Sequence, residues 1–290
     1  MGLDTLGIRF LLFAKRRGVS FTTTAMIGRQ SLNLDADALS AAFRQFGAPL
    51  PGGGAAGVLS GAQGYAEPLF AALGAATVAS FDAAPYEQAT HIHDFNQPIP
   101  AAHHAQYSAV LDGGTLEHVF NFPVALANAM QMVRPGGHFV GILTANNFLG
   151  HGFYQLSPEL FHSALSEPNG YVLEHLIAVE DRPGAPWYEV TSPDAVRERV
   201  TLVNRHPLYL LVVARRTRDV VPFATAPQQS DYQAMWAAEA PTTARRQRAA
   251  WRIALSHRVV RPLMRGIRRV TGNDSDTFNR RHYRRFDPTA

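Results

Sequence analysis

Two histidines have the chemistry for proton transfer. His118 directly follows Glu117, and His151 lies within Asn146-Asn147-Phe148-Leu149-Gly150-His151-Gly152-Phe153-Tyr154-Gln155, a segment dense in hydrogen-bonding groups. An imidazole titrating near neutrality can take a proton from a hydroxyl before that oxygen attacks an electrophile. His151 is the leading candidate for such a base and His118 the second, with Tyr154 to orient a substrate. The plain alternatives are a pocket-shaping His118 and a loop that satisfies its own amides, because unpaired buried amides are costly. Three acids, Asp82, Asp94 and Asp112, each close or follow a short apolar run, and a carboxylate accepts two hydrogen bonds from a diol. His91, His93, His103 and His104 invite a metal reading. They have no carboxylate-rich motif beside them, and the chain has no cysteine for a thiolate site, so no metal site is expected.

These groups need elements to position them. Tyr107 to Leu111 is a short apolar strand stopping at Asp112, and Pro123 to Val133 is a helix with Val124, Leu126, Ala127, Met130 and Val133 at helical spacing. Pro135-Gly136-Gly137 ends it, and Phe139 to Leu143 reads as a buried strand. Upstream, Ala56 to Ser60 is the expected first strand, followed by a Gly61-Ala62-Gln63-Gly64 turn and a helix from Ala66 to Leu73. Thr77 to Phe81 and Thr90 to Ile92 are the second and third strands. Ser157-Pro158 opens a further helix, and Val172 to Val179 and Leu208 to Ala214 are the last strands. Strands alternating with helices predict a parallel sheet with right-handed crossovers, whose ligands bind at the carboxyl ends of the strands.

Leu116-Glu117-His118-Val119, a helix, Pro135-Gly136-Gly137 and a buried strand together resemble the second half of class I S-adenosylmethionine (SAM)-dependent methyltransferases. The resemblance covers residues 55 to 215 and includes the ending, a helix and two strands with an antiparallel last pair. It implies an α/β, Rossmann-like methyltransferase sheet, mostly parallel with an antiparallel final strand. It implies SAM as cofactor, with Gly61, Gln63 and Gly64 at the methionine carboxylate, Asp82 on the ribose hydroxyls, Asp94 at the adenine amino group and Asp112 beside the reactive methyl. The expected activity is methyl transfer to an oxygen or nitrogen nucleophile, with a small-molecule or glycan acceptor. The first turn lacks the acid and one of the glycines common in the superfamily, and this keeps open a non-catalytic scaffold on the same fold.

The expected organisation is a helical and extended preface over 1–50, a methyltransferase-like domain over 51–222 and a basic helical extension over 223–290. Net charge is +4 over 290 residues. From Arg245 onward thirteen Arg face three Asp, which gives that segment +10 and leaves the remainder at −6. Trp251, Leu255, Val259, Leu263 and Ile267 line one side of a predicted helix and Arg the other. Packing on the domain, contact with an anionic membrane surface and, weakest, nucleic-acid binding are its three readings. Residues 279–285 are expected to be mobile. No run of about 18 apolar residues occurs, and the order of charge and apolar residues at the start is not that of a secretory signal. A cytoplasmic, possible peripheral-membrane location is the expectation.

Overall fold

The computed structural model describes residues 2–196, 199–230 and 278–290. Its strands are β1 (Gly2–Leu3), β2 (Thr23–Ile27), β3 (Ser31–Leu32), β4 (Thr77–Asp82), β5 (His91–Ile92), β6 (Tyr107–Asp112), β7 (Val133–Thr144), β8 (Tyr171–Glu180), β9 (Trp187–Val190), β10 (Leu208–Arg216) and β11 (Tyr283–Phe286). Its helices are α1 (Thr5–Arg16), α2 (Ala36–Gln45), α3 (Gly54–Ala62), α4 (Glu67–Ala72), α5 (Phe122–Met132), α6 (Pro158–Ala164) and α7 (Pro193–Val196). Among the described residues no helix is long and apolar enough to cross a membrane.

Nine strands form one sheet in the order β11-β9-β8-β10-β7-β6-β2-β4-β5. The strands β5-β4-β2-β6-β7 are parallel neighbours, and β10, β8, β9 and β11 continue the sheet antiparallel. This is a doubly wound order whose direction of winding reverses between β2 and β6, and the crevice at such a reversal is where ligands bind.

Alternation along the strands divides the core into two layers. Met26, Leu111, Val140, Leu211 and Val213 face α1 to α4, whereas Ala25, Ile27, Val110, Phe139, Leu210 and Val212 face α5 and α6. Two helices on the first face, α1 and α2, begin at side-chain caps. Asp4 accepts from the Gly7 amide (2.9 Å) and Asp35 from the Ala38 amide (2.8 Å).

The structure corrects the expected start of the sheet. Ala56–Ser60 is not a strand. It lies inside α3, where Ala55, Val58 and Ala62 are buried at helical spacing. The first strand of the winding is Thr23–Ile27, whose two Thr and terminal Ile are β-branched and suit a pleated surface better than Ala-Gly-Val-Leu-Ser, with one β-branched residue. A central strand therefore comes from within residues 1–50, and the expected division at residue 50 does not separate a preface from the sheet. The final residues are also corrected. Tyr283–Phe286 pairs antiparallel with Trp187–Val190, Phe278 stacks on Tyr188 at 4.1 Å, and Tyr283 is buried. The expected Arg-bearing helix around Trp251 to Ile267 lies outside the described residues.

Candidate functional site

The site is built where β2, β6 and β7 end. β2 runs into Gly28, whose amide donates to the Phe81 carbonyl (2.7 Å), tying this turn to β4. Gly28 has φ +71°, and a Cβ there would collide with the Thr115 hydroxyl, so glycine is needed for both reasons. Gln30 follows, fully buried. Its amide nitrogen donates to the Ile27 carbonyl (3.0 Å), while its Oε1 has no partner and lies where a Cβ on Gly113 would be, at 2.5 Å. Arg29 points the other way. It pairs with Glu67 (2.7 Å), donates to the Glu87 carbonyl (2.7 Å) and lies over the Tyr65 ring at 3.8 Å. This strap holds the β2 turn against α4 and the segment after β4.

Gly28 and Gln30 were missed in the sequence. The signal was there, a β-branched and apolar pentapeptide closed by glycine. The expected turn, Gly61, Gln63 and Gly64, is instead the exposed carboxyl end of α3, with Gln63 in the left-handed region at φ +46°. The Gly64 carbonyl accepts from the Leu32 amide of β3 (2.9 Å), which ties this turn to the segment after β2.

Asp82 and Asp112 are the last residues of β4 and β6, as expected. Asp82 is partly accessible, and its Oδ1 takes the Ala84 amide (3.2 Å). Asp94 is exposed and holds the Asn96 amide (2.9 Å) and side chain (2.8 Å), which lowers its pKa. Asp112 is fully buried. Its Oδ1 accepts from Thr115 (2.8 Å) and Leu116 (3.3 Å), and its Oδ2 has no partner. Burial raises its pKa well above the usual range, and the neighbouring Glu117 adds to the rise, against the pull of those amides.

The single helical turn Leu116–His118 then places Glu117 inward and His118 outward. Glu117 is fully buried with neither carboxylate oxygen hydrogen-bonded. Burial pushes its pKa up to about 7, moderated by its own backbone and by Thr144. The Thr144 hydroxyl is itself turned to the Tyr154 carbonyl (3.4 Å).

The loop after β7 closes over this turn. The Phe153 and Tyr154 amides both donate to the Glu117 carbonyl (2.8 and 3.2 Å), and Gly152, at φ +65°, lies so close that a Cβ would be 2.8 Å from the same oxygen. The loop thereby lays His151 on the turn. Its Nε2 is 3.1 Å from His118 Nε2 and 3.7 Å from Glu117 Oε1. The His118 pKa is lowered, first by burial and then by the nearby His151.

Other groups in the loop are committed internally. Asn146 and Asn147 donate to Leu202, Asn204 and His206, and Tyr154 donates its phenolic proton to the Phe120 carbonyl (2.7 Å). Tyr154 thus braces the loop, and its expected role of orienting a substrate is not the role its hydroxyl proton serves. Phe120 and Phe153 form an exposed edge-to-face pair with ring centres 5.7 Å apart beside His118.

A cavity of about 260 Å³ opens beside His151 and Glu117. Gly113, Gly114, Glu117, Thr144, His151 and Tyr209 line it together with the amino-terminal residues Asp4 and Leu6. Tyr209 is held un-ionised, its pKa raised to about 12 chiefly by burial.

Among solved structures, the chain is similar to a SAM-dependent methyltransferase from Mesorhizobium loti. Identity is 14%, over 70% of this chain and 96% of that one, with a TM-score of 0.40. It is similar to a 1,6-didemethyltoxoflavin-N1-methyltransferase from Burkholderia thailandensis at 15% identity, over 74% and 79% of the two chains, with a TM-score of 0.40. A branched-chain polyamine synthase from Thermus thermophilus is similar at 13% identity, over 74% of this chain and 57% of that one, with a TM-score of 0.38. No family model and no curated protein matches the chain. These likenesses are too distant to bear on function. The strand order itself is that of a class I methyltransferase-like, Rossmann-like sheet.

SAM is the cofactor expected from the sequence resemblance, and the residues at the winding reversal include groups of the kind it would need. Gly113 and Gly114 line the cavity at the winding reversal, Gln30 Oε1 is a buried acceptor without a donor among the described residues, and Asp82 ends the neighbouring strand with a partly accessible carboxylate. An amine, a carboxylate and a diol are groups these would hold.

Proposed function

We propose that the chain is a SAM-dependent methyltransferase acting on an oxygen or nitrogen nucleophile of a sugar, glycan or lipid-linked acceptor. The observation that carries the reading is the convergence of Gly113, Gly114, Glu117, Thr144 and His151 on one cavity at the winding reversal. When bound, SAM supplies an electrophilic methyl group. Gln30 and the Gly113–Gly114 backbone would hold its amino-acid end, and Asp82 its ribose. His151 would take a proton from an acceptor hydroxyl at Nε2. The buried Glu117 carboxylate 3.7 Å away would stabilise the imidazolium that forms. The exposed Phe120–Phe153 pair offers an aromatic face to an acceptor ring, which favours a glycan.

The test is calorimetric titration of the full-length protein with SAM and with S-adenosylhomocysteine. Asp82→Ala should weaken binding about 10- to 100-fold, from the loss of hydrogen bonds to a charged acceptor. A folded protein that binds neither compound would leave a non-catalytic scaffold as the better reading. For the Arg-rich stretch we propose contact with an anionic membrane surface. Equal partition of the protein onto neutral and anionic vesicles would remove that proposal.

A further inference from the structure

We propose that Glu117, His118 and His151 form a binding site for a divalent transition-metal cation of the zinc class. The inference goes beyond the methyl-transfer reading and does not depend on it. One donor atom from each residue lies within 4.8 Å of the others, and they are the one such trio among the described residues. Cations of this class hold imidazole nitrogen and carboxylate oxygen at about 2.0–2.2 Å, so two ligands at roughly 90–110° are separated by about 2.9–3.5 Å. The two imidazole nitrogens, 3.1 Å apart, already meet that spacing. The 3.7 Å between His151 and Glu117 corresponds to a wider angle or a closure of a few tenths of an ångström.

A second, independent observation is the state of Glu117. Its side chain is completely buried, it lines the cavity, and both its oxygens lack a hydrogen bond among the described residues. A carboxylate so placed is costly unless a positive charge meets it. Among the described residues neither Lys nor Arg lines the cavity that bears Glu117. The loop geometry serves the same end, because Phe153, Tyr154 and Gly152 all close on the Glu117 carbonyl and so hold His151 over the carboxylate.

Two imidazoles and one carboxylate favour zinc, iron, cobalt or manganese over magnesium or calcium, which prefer all-oxygen sites. Three protein ligands leave at least one position open, as in catalytic rather than structural sites. The adjoining cavity is where an oxygen in that position would be polarised. In the loaded protein the imidazoles are ligands and not proton acceptors.

The experiment uses untagged full-length protein stripped with a chelator and titrated with Zn²⁺ by calorimetry and with Co²⁺ by absorption spectroscopy. One cation per chain is expected, with ligand-field bands in the Co²⁺ spectrum. Glu117→Gln, His118→Ala and His151→Ala should each weaken binding at least 10-fold, and His91→Ala with His103→Ala should leave it unchanged. His118 is exposed, so its variant is expected to fold even if Glu117→Gln does not. Absence of stoichiometric binding, or binding that survives both His118→Ala and His151→Ala, would overturn the proposal. SAM titration of the same variants keeps the two readings apart, since Gln30 and Asp82 are untouched.

Discussion

Gly152→Ala probes the joint on which the candidate site depends. The native φ of +65° costs an L-residue about 1–2 kcal/mol. The added Cβ would lie 2.8 Å from the Glu117 carbonyl oxygen, a backbone atom that cannot swing aside. The loop must therefore hold the strain or peel away, and peeling loses the Phe153 and Tyr154 amide bonds to that oxygen, at about 1 kcal/mol each. Either route costs about 2 kcal/mol. The measurement is equilibrium urea unfolding, with Gly150→Ala as control, because a Cβ at Gly150 meets nothing within 4 Å. The control should stay within about 0.5 kcal/mol of the parent. Because His151 immediately precedes the altered residue, its contact with His118 should also be lost, seen as a change in both imidazole nitrogen resonances. A Gly152→Ala protein with parental stability and unchanged resonances would refute the claim that this glycine locks His151 onto Glu117.

Two further predictions concern the scaffold. Arg216 is buried and donates to the carbonyls of Gln131 (3.0 Å) and Val133 (2.5 Å), whereas its ion-pair partner Asp219 is 73% exposed. Arg216→Met should cost about 2–3 kcal/mol, mainly from the orphaned carbonyls, while Asp219→Ala should cost under about 1 kcal/mol by the same urea assay. His103, His138 and His162 all have lowered pKa values, chiefly from burial, with Glu174 opposing the shift at His138 and Glu159 at His162. The folded state thus binds these protons less readily than the unfolded chain. Their contribution to stability is complete above the unfolded value of about 6.5 and is lost as pH falls below it. Unfolding midpoints should drop between about pH 6.5 and 5, with a shallower slope in His162→Phe, and a flat profile over that window would contradict the assignment.

Much of the winding was legible in one dimension. Short apolar runs closed by Asp82 and Asp112, the helix after Asn121 and the apolar run at Leu208 each carry their own period and punctuation, so β4, β6, α5 and β10 fall within a residue or two of expectation. Asp4 and Asp35 determine where α1 and α2 begin because a cap is a local interaction. The choice of first strand was not local. Thr23–Ile27 and Ala56–Ser60 are both short apolar runs followed by glycine, and only docking between β4 and β6 selects the first.

The amino-acid sequence by itself determined a mostly parallel sheet, the acids at its carboxyl ends and the presence of Glu117, His118 and His151. Only the tertiary structure decided that Glu117 is buried and that His151, 33 residues beyond His118, rests against it. The reason is physical. Burial and the meeting of distant side chains depend on which loop crosses which strand end, and no periodicity along the chain encodes that crossing.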